Sequence, residues 1–285
     1  MPRSHSGPVA VITDSTAHLP QSALDLFAIT SVPLTVVVDG VAFEDGSAEA
    51  AERLVPALRQ HLPVTTSRPS PETFAAAYRM AAGAGAAAVV SIHLSAEISG
   101  TYDAAVLAAR EAPVPVRVVD SGMIAMALGF SVLAAAEVVA VGGDADEAAA
   151  AAAKRAEATR AYFYVDTLDH LRRGGRINTA QALLGSALAV KPLLEMTEGR
   201  IELREKVRTA GRAIARLEEL AVAHAGAAPV DVAVQHLAAE ERAVQLAERL
   251  AARLPGLREM QVREVGAVLG AHTGPGLLGA IVAPR

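Results

Sequence analysis

Four stretches in the first half of the chain end in short, mostly hydroxyl-bearing residues: Asp14-Ser15-Thr16, Thr65-Thr66-Ser67, Ser99-Gly100-Thr101 and Asp120-Ser121-Gly122. Each follows an apolar run that reads as a strand. Small hydroxyls at a helix start suit an oxyanion, because the first N–H groups there have no partner within the helix and the dipole end is positive. The same residues also serve as ordinary helix caps, and Ser99 taken alone fits that role. In an open parallel sheet the strand ends share one edge, where ligands settle. Four such turns together would line a crevice with short donors and little charge, which suits a single anionic head group.

The second half adds two further candidates. Gly174-Gly175-Arg176 places a guanidinium directly after a double glycine. Such an arginine can grip a carboxylate or phosphate through two parallel hydrogen bonds, or it can be a surface residue beyond a helix end. His272 lies in Gly270-Ala271-His272-Thr273-Gly274-Pro275-Gly276, which predicts a fixed loop between two strands. A neutral imidazole there can donate to an anion, although a lone histidine is also commonly structural. The remaining histidines fall near the N-terminus or in ordinary helix and strand settings. Ser99, His272 and an acid such as Asp14 would also be the parts of a serine hydrolase, but Ser99 lacks the G-x-S-x-G elbow. No G-x-x-x-x-G-K-[ST] loop and no evident metal cluster is present, so neither ATP nor a metal is expected as a cofactor.

The elements that must hold these residues alternate. Strands are predicted at Val9–Thr13, Val32–Val38, the run AAAVVSIHL and Val114–Val119, with helices opening at Pro20, Ala48, Glu72, Thr101 and Met123. That alternation implies a parallel sheet covered on both faces. An alanine-rich helix to about Arg160 marks the join to a second half of different texture. There the pattern predicts a strand at Tyr162–Val165, a short helix ended by Gly174-Gly175, and a helix over Thr179–Ala187. A hairpin of Val190–Glu195 with Arg200–Val207 follows, then a long helix over Ala210–Ala225 and a strand–helix–strand–strand finish. The expectation is an α/β chain of two domains: residues 8–160 with a parallel sheet, and 161–285 as an α+β domain with a mixed sheet.

Composition narrows the classes. The chain has 285 residues, 52% hydrophobic and 3% aromatic, with no cysteine and a net charge of −5. The missing cysteines exclude disulfides, zinc–thiolate sites and thiol nucleophiles. The acidic balance and the lack of any basic block give no reason to expect nucleic acid. Met123–Val141 is almost free of charge, but Glu137 interrupts it and eight of its nineteen residues are Ala, Gly or Ser, so a buried helix is expected rather than a span. The opening MPRSHSGPVAVITDS moves from a polar tail into a strand without the pattern of a secretory signal, and a cytoplasmic location is expected.

The motifs taken in order are recognisable: Val11-Ile-Thr-Asp-Ser-Thr-Ala, Thr66-Ser-Arg-Pro-Ser, Ile98-Ser-Gly-Thr-Tyr, Val119-Asp-Ser, Leu171-Arg-Arg-Gly-Gly-Arg-Ile, Val190-Lys-Pro-Leu-Leu, Val207-Arg-Thr and His272-Thr-Gly-Pro-Gly. From about Val9 onward the chain closely resembles the DegV family of bacterial fatty-acid-binding proteins, the lipid-carrying subunits of fatty acid kinase. The resemblance implies two domains with a long-chain fatty acid between them, its acyl tail in an apolar tunnel. It implies Thr66, Ser99 and His272 as ligands of the carboxylate, with Arg176 acting on a phosphate or a partner. The implied partner is the ATP-binding subunit of the kinase, which would phosphorylate the carboxylate to an acyl phosphate, and lipid exchange would bring transient contact with a membrane surface. Arg68 departs from the pattern, standing where the family commonly has glutamine.

Overall fold

Val9–Asp14 forms the first strand from mostly β-branched residues, whose stiff side chains favour an extended backbone. The structure, a computed structural model, describes residues 7–177 and 191–285. Its strands in chain order are β1 (Val9–Asp14), β2 (Thr30–Val32), β3 (Thr35–Val38), β4 (Val41–Glu44), β5 (Val64–Ser67), β6 (Ala88–His93), β7 (Val116–Asp120), β8 (Arg160–Tyr164), β9 (Lys191–Thr197), β10 (Arg200–Val207), β11 (Val230–His236), β12 (Leu257–Glu264) and β13 (Leu278–Pro284). The helices among the described residues are α1 (Gln21–Leu26), α2 (Ala48–Arg59), α3 (Pro71–Gly83), α4 (Thr101–Ala109), α5 (Met126–Ala140), α6 (Ala145–Ala158), α7 (Asp169–Arg173), α8 (Ala210–Ala225), α9 (Glu240–Arg253) and α10 (Ala267–Thr273).

Contacts divide the chain into two units, residues through Thr35 with Ser67–Glu157, and Val36–Thr66 with Ala158–Arg285. The division expected at residue 160 therefore differs by the segment Val36–Thr66. Its helix α2 packs on α10, near the C-terminus, which ties the segment to the second unit.

In the first unit four strands run parallel in the order β2-β1-β6-β7. Every residue of β6 is buried, as a central parallel strand requires. Ile12, Phe74, Tyr78, Val89, Ala104 and Ala105 form the core beneath α3 and α4. The stretch around Met123–Val141 is the buried helix α5. At Gly129 an added Cβ would lie 2.6 Å from the Ala17 carbonyl oxygen, so glycine permits this helix to approach the turn after β1. No helix among the described residues is long and apolar enough to cross a membrane.

The second unit holds a six-stranded sheet ordered β10-β9-β8-β13-β11-β12, in which β11 and β12 are parallel and the other pairings antiparallel. The amphipathic helices α8 and α9 pack with it around Tyr164, Leu193, Leu217, Val232, Leu246 and Val282. β9 and β10 are the expected hairpin, turning at Glu198-Gly199 with both residues at positive φ. A separate three-stranded sheet has the order β4-β3-β5.

Three local expectations change. Val32–Val38 is not one strand: Pro33, which lacks an N–H, interrupts it, and the two pieces join different sheets. Thr65-Thr66-Ser67, expected to follow a strand, lies within one, β5. His272 sits in the last turn of α10 rather than in a loop, with Gly274 closing that helix at φ 76°. The helix expected over Thr179–Ala187, and Val190, lie outside the described residues.

Candidate functional site

Thr66 and His272 are 206 residues apart in sequence, yet Thr66 Oγ1 is 2.8 Å from His272 Nε2. Strand β5 carries the first and helix α10 the second. Both line a cleft of about 380 Å³ in the second unit, together with Arg176, Arg173, His170 and His61. Burial pushes the His272 imidazole down to about 4, and the positive charge of Arg176 adds to the effect. The ring is therefore neutral at physiological pH. With Nε2 protonated it donates to Thr66, which leaves the hydroxyl hydrogen for an anion. Burial also lowers the Arg176 guanidinium, which donates to the Gly174 carbonyl oxygen.

Two glycines set this geometry. A Cβ on Gly174 would overlap Nδ1 of His272, and a Cβ on Gly274 would overlap the ring of His170. The segment after α7 and the end of α10 thus each receive the other's imidazole where a side chain would otherwise stand. Gly274→Ala is expected to destabilise the fold by about 2–5 kcal/mol, from an unfavourable left-handed backbone and an overpacked ring together. Gly175 also has positive φ (71°), but a Cβ there meets nothing within 4 Å. Gly175→Ala should therefore cost only about 1–2 kcal/mol, and denaturant unfolding of the two variants measures the difference.

Ser99 belongs to the first unit, whereas Thr66, Arg176 and His272 belong to the second. Ser99 lies between β6 and α4. Its hydroxyl is 2.8 Å from Thr101 Oγ1 and accepts from the Thr101 N–H at 3.3 Å. The residue before α4 is Gly100, which has no side chain to cap with, so Ser99 supplies the acceptor from one position further back. The Arg68 guanidinium lies over Gly100, where a Cβ would overlap it. Of the other hydroxyl turns, those at Asp14 and Asp120 also fall at strand ends of the parallel sheet; Thr66, on β5, does not.

His93 is the residue that sequence reasoning missed. It is fully buried, as are Asp14, Ser91 and Tyr78. Its Nδ1 is 3.0 Å from Asp14 Oδ2 and its Nε2 is 2.7 Å from Ser91 Oγ, which accepts from the Tyr78 hydroxyl at 3.0 Å. Asp14 also accepts from the Leu94 N–H, the Thr16 N–H and the Thr16 hydroxyl. Burial holds the Tyr78 phenol up at about 12. The available signal was Ser91-x-His93, which places two polar side chains on one face of an otherwise apolar strand. The connectivity is that of a Ser–His–Asp triad, but with no exposed member it ties the sheet together. It also engages both oxygens of Asp14, the acid considered for a hydrolase with Ser99 and His272. Among the described residues no group of three or more His, Cys, Asp or Glu side chains could hold a metal ion.

Residues 8–285 match the family model described as "Uncharacterised protein, DegV family". A DegV domain-containing protein of Streptomyces coelicolor is 65% identical over 277 residues, covering 97% of this chain and 99% of the relative. Protein DegV of Bacillus subtilis is 38% identical over 276 residues, covering 95% and 97%. Among solved structures, a fatty-acid-binding DegV family protein from Thermus thermophilus superposes with a TM-score of 0.92 at 33% identity, over 98% of this chain and all of the other. DegV from Bacillus subtilis, described as a fatty acid binding protein, superposes with a TM-score of 0.88 at 35% identity over the same shares.

Proposed function

Because the chain belongs to the DegV family, we propose that it binds a long-chain fatty acid and presents the carboxylate to an ATP-binding kinase partner, which phosphorylates it to an acyl phosphate. The observation that carries this reading is the pair of Thr66 and His272, a hydroxyl and a desolvated neutral imidazole 2.8 Å apart. A carboxylate removed from water requires several donors. Thr66 and His272 supply two of them and Ser99 a third, while Arg176 acts on the phosphate or the partner. The tail contributes about 0.8 kcal/mol per buried methylene, in a tunnel lined by Ala, Val, Leu and Met side chains rather than the few aromatic ones. The fatty-acid-binding relatives from Thermus thermophilus and Bacillus subtilis support the assignment. The protein works as a carrier in the cytoplasm, meeting the membrane surface briefly to exchange lipid.

Native mass spectrometry of the purified protein tests this directly. A copurified mass that dissociates and extracts into organic solvent as a fatty acid is the expected result. A protein that carries no lipid and takes up none on incubation with fatty acids would refute the reading.

A further inference from the structure

The cleft beside Thr66 and His272 has a second flank that carboxylate binding does not use. There His61, His170 and Arg173 join Arg176, and no Asp or Glu is among the described residues that line the cleft. Arg173 Nη2 lies 3.4 Å from His170 Nδ1. Donation from the guanidinium makes Nδ1 an acceptor, so the proton of a neutral His170 sits on Nε2. Burial, Arg173 and His61 all hold the His170 imidazole low; the opposing influence is Asp169, whose carboxylate is paired with Arg172 at 3.4 Å. The like charges of Arg173 and Arg176 share one small cleft, and an anion there relieves their mutual repulsion. Two guanidiniums match a dianion better than a single carboxylate, and their forked donors fit tetrahedral oxygens. A volume of about 380 Å³ admits a small group and excludes a folded acidic segment.

We propose that the His61–His170–Arg173 flank is a binding site for a phosphoryl dianion, either inorganic phosphate or the phosphate end of an acyl chain. Its role beside the carboxylate contacts rests on the fatty-acid reading above; its capacity to bind phosphate does not.

Calorimetric titration of the full chain separates these cases, using inorganic phosphate, an alkyl phosphate and a fatty acid of equal chain length. The alkyl phosphate is expected to bind about tenfold tighter than the fatty acid, and Arg173→Gln to abolish that preference, one charge-assisted contact being worth about that factor. Fatty-acid affinity should stay within about twofold in the variant, since Arg173 is exposed and lies outside the carboxylate contacts. Inorganic phosphate that binds wild type and not Arg173→Gln identifies free phosphate as a ligand. An alkyl-phosphate preference without a phosphate response identifies the lipid phosphate. Equal affinity for the two lipids with no response to phosphate overturns the proposal, as does an Arg173→Gln variant that keeps the full preference. Phosphate binding in a protein that takes no fatty acid leaves this subsite standing and removes the reading it adjoins.

Discussion

Removing Asp14 is expected to destabilise the first unit by about 3–5 kcal/mol, because several buried donors lose their shared acceptor at about 1–3 kcal/mol each. The carboxylate is fully buried and accepts from His93, the Leu94 N–H and both donors of Thr16. In Asp14→Ala those donors lose their acceptor in a place water does not reach, and each such loss is expensive. The network is continuous: Tyr78 donates to Ser91, and the two ring nitrogens of His93 bridge Ser91 to Asp14. Ser91→Ala removes an intermediate link and should cost less, about 1–3 kcal/mol. Denaturant unfolding of the two variants gives the ranking, and an Asp14→Ala protein as stable as wild type would mean the network contributes nothing. Ligand affinity should fall as well. The Ser121 hydroxyl donates to the His93 carbonyl at 2.7 Å, and the Ser99 N–H donates to the Ser95 carbonyl at 3.2 Å, so the strand end that Asp14 secures leads directly into the segment carrying Ser99.

Thr66→Val is expected to weaken long-chain fatty-acid binding by one to two orders of magnitude, because a donor to a charged group contributes about 1.5–3 kcal/mol. Valine keeps the shape of threonine and β propensity suited to β5, so the loss isolates the hydroxyl. Ser99→Ala should lose a comparable factor if the same carboxylate is its ligand. Unchanged binding in both variants would rule out the head-group assignment. His272 adds a pH signature. Its imidazole sits at about 4 in the native protein against a usual value near 6.5, so the unfolded chain takes up a proton first as pH falls. Stability from the neutral ring is complete above about pH 6.5 and is lost progressively toward pH 4, by up to ~3 kcal/mol. His272→Gln should flatten that part of the stability profile. A profile identical to wild type would mean the native ring is not held neutral by its surroundings.

The sequence by itself settled most of what depends on neighbours along the chain. The strands at Val9–Asp14 and Val116–Asp120, the Glu198-Gly199 hairpin and the amphipathic α8 and α9 follow from period, propensity and turn chemistry, which act over a few residues. The ordered motifs likewise pointed to the family before any coordinate was known. Tertiary structure decided what depends on distant partners. Pro33 shows only that a strand must break, not that its two pieces enter separate sheets. His93 looks like one more strand residue until β1, 79 positions earlier, brings Asp14 against it. Thr66 reads as a loop hydroxyl until β5 forms and α10 places His272 beside it across 206 positions. Gly174 and Gly274 announce flexible turns, yet their requirement is spatial, since each vacates the volume that the other segment's imidazole fills. Local sequence carries backbone preference; side-chain proximity over such separations arises only when the chain closes on itself, and the candidate site is made of that proximity.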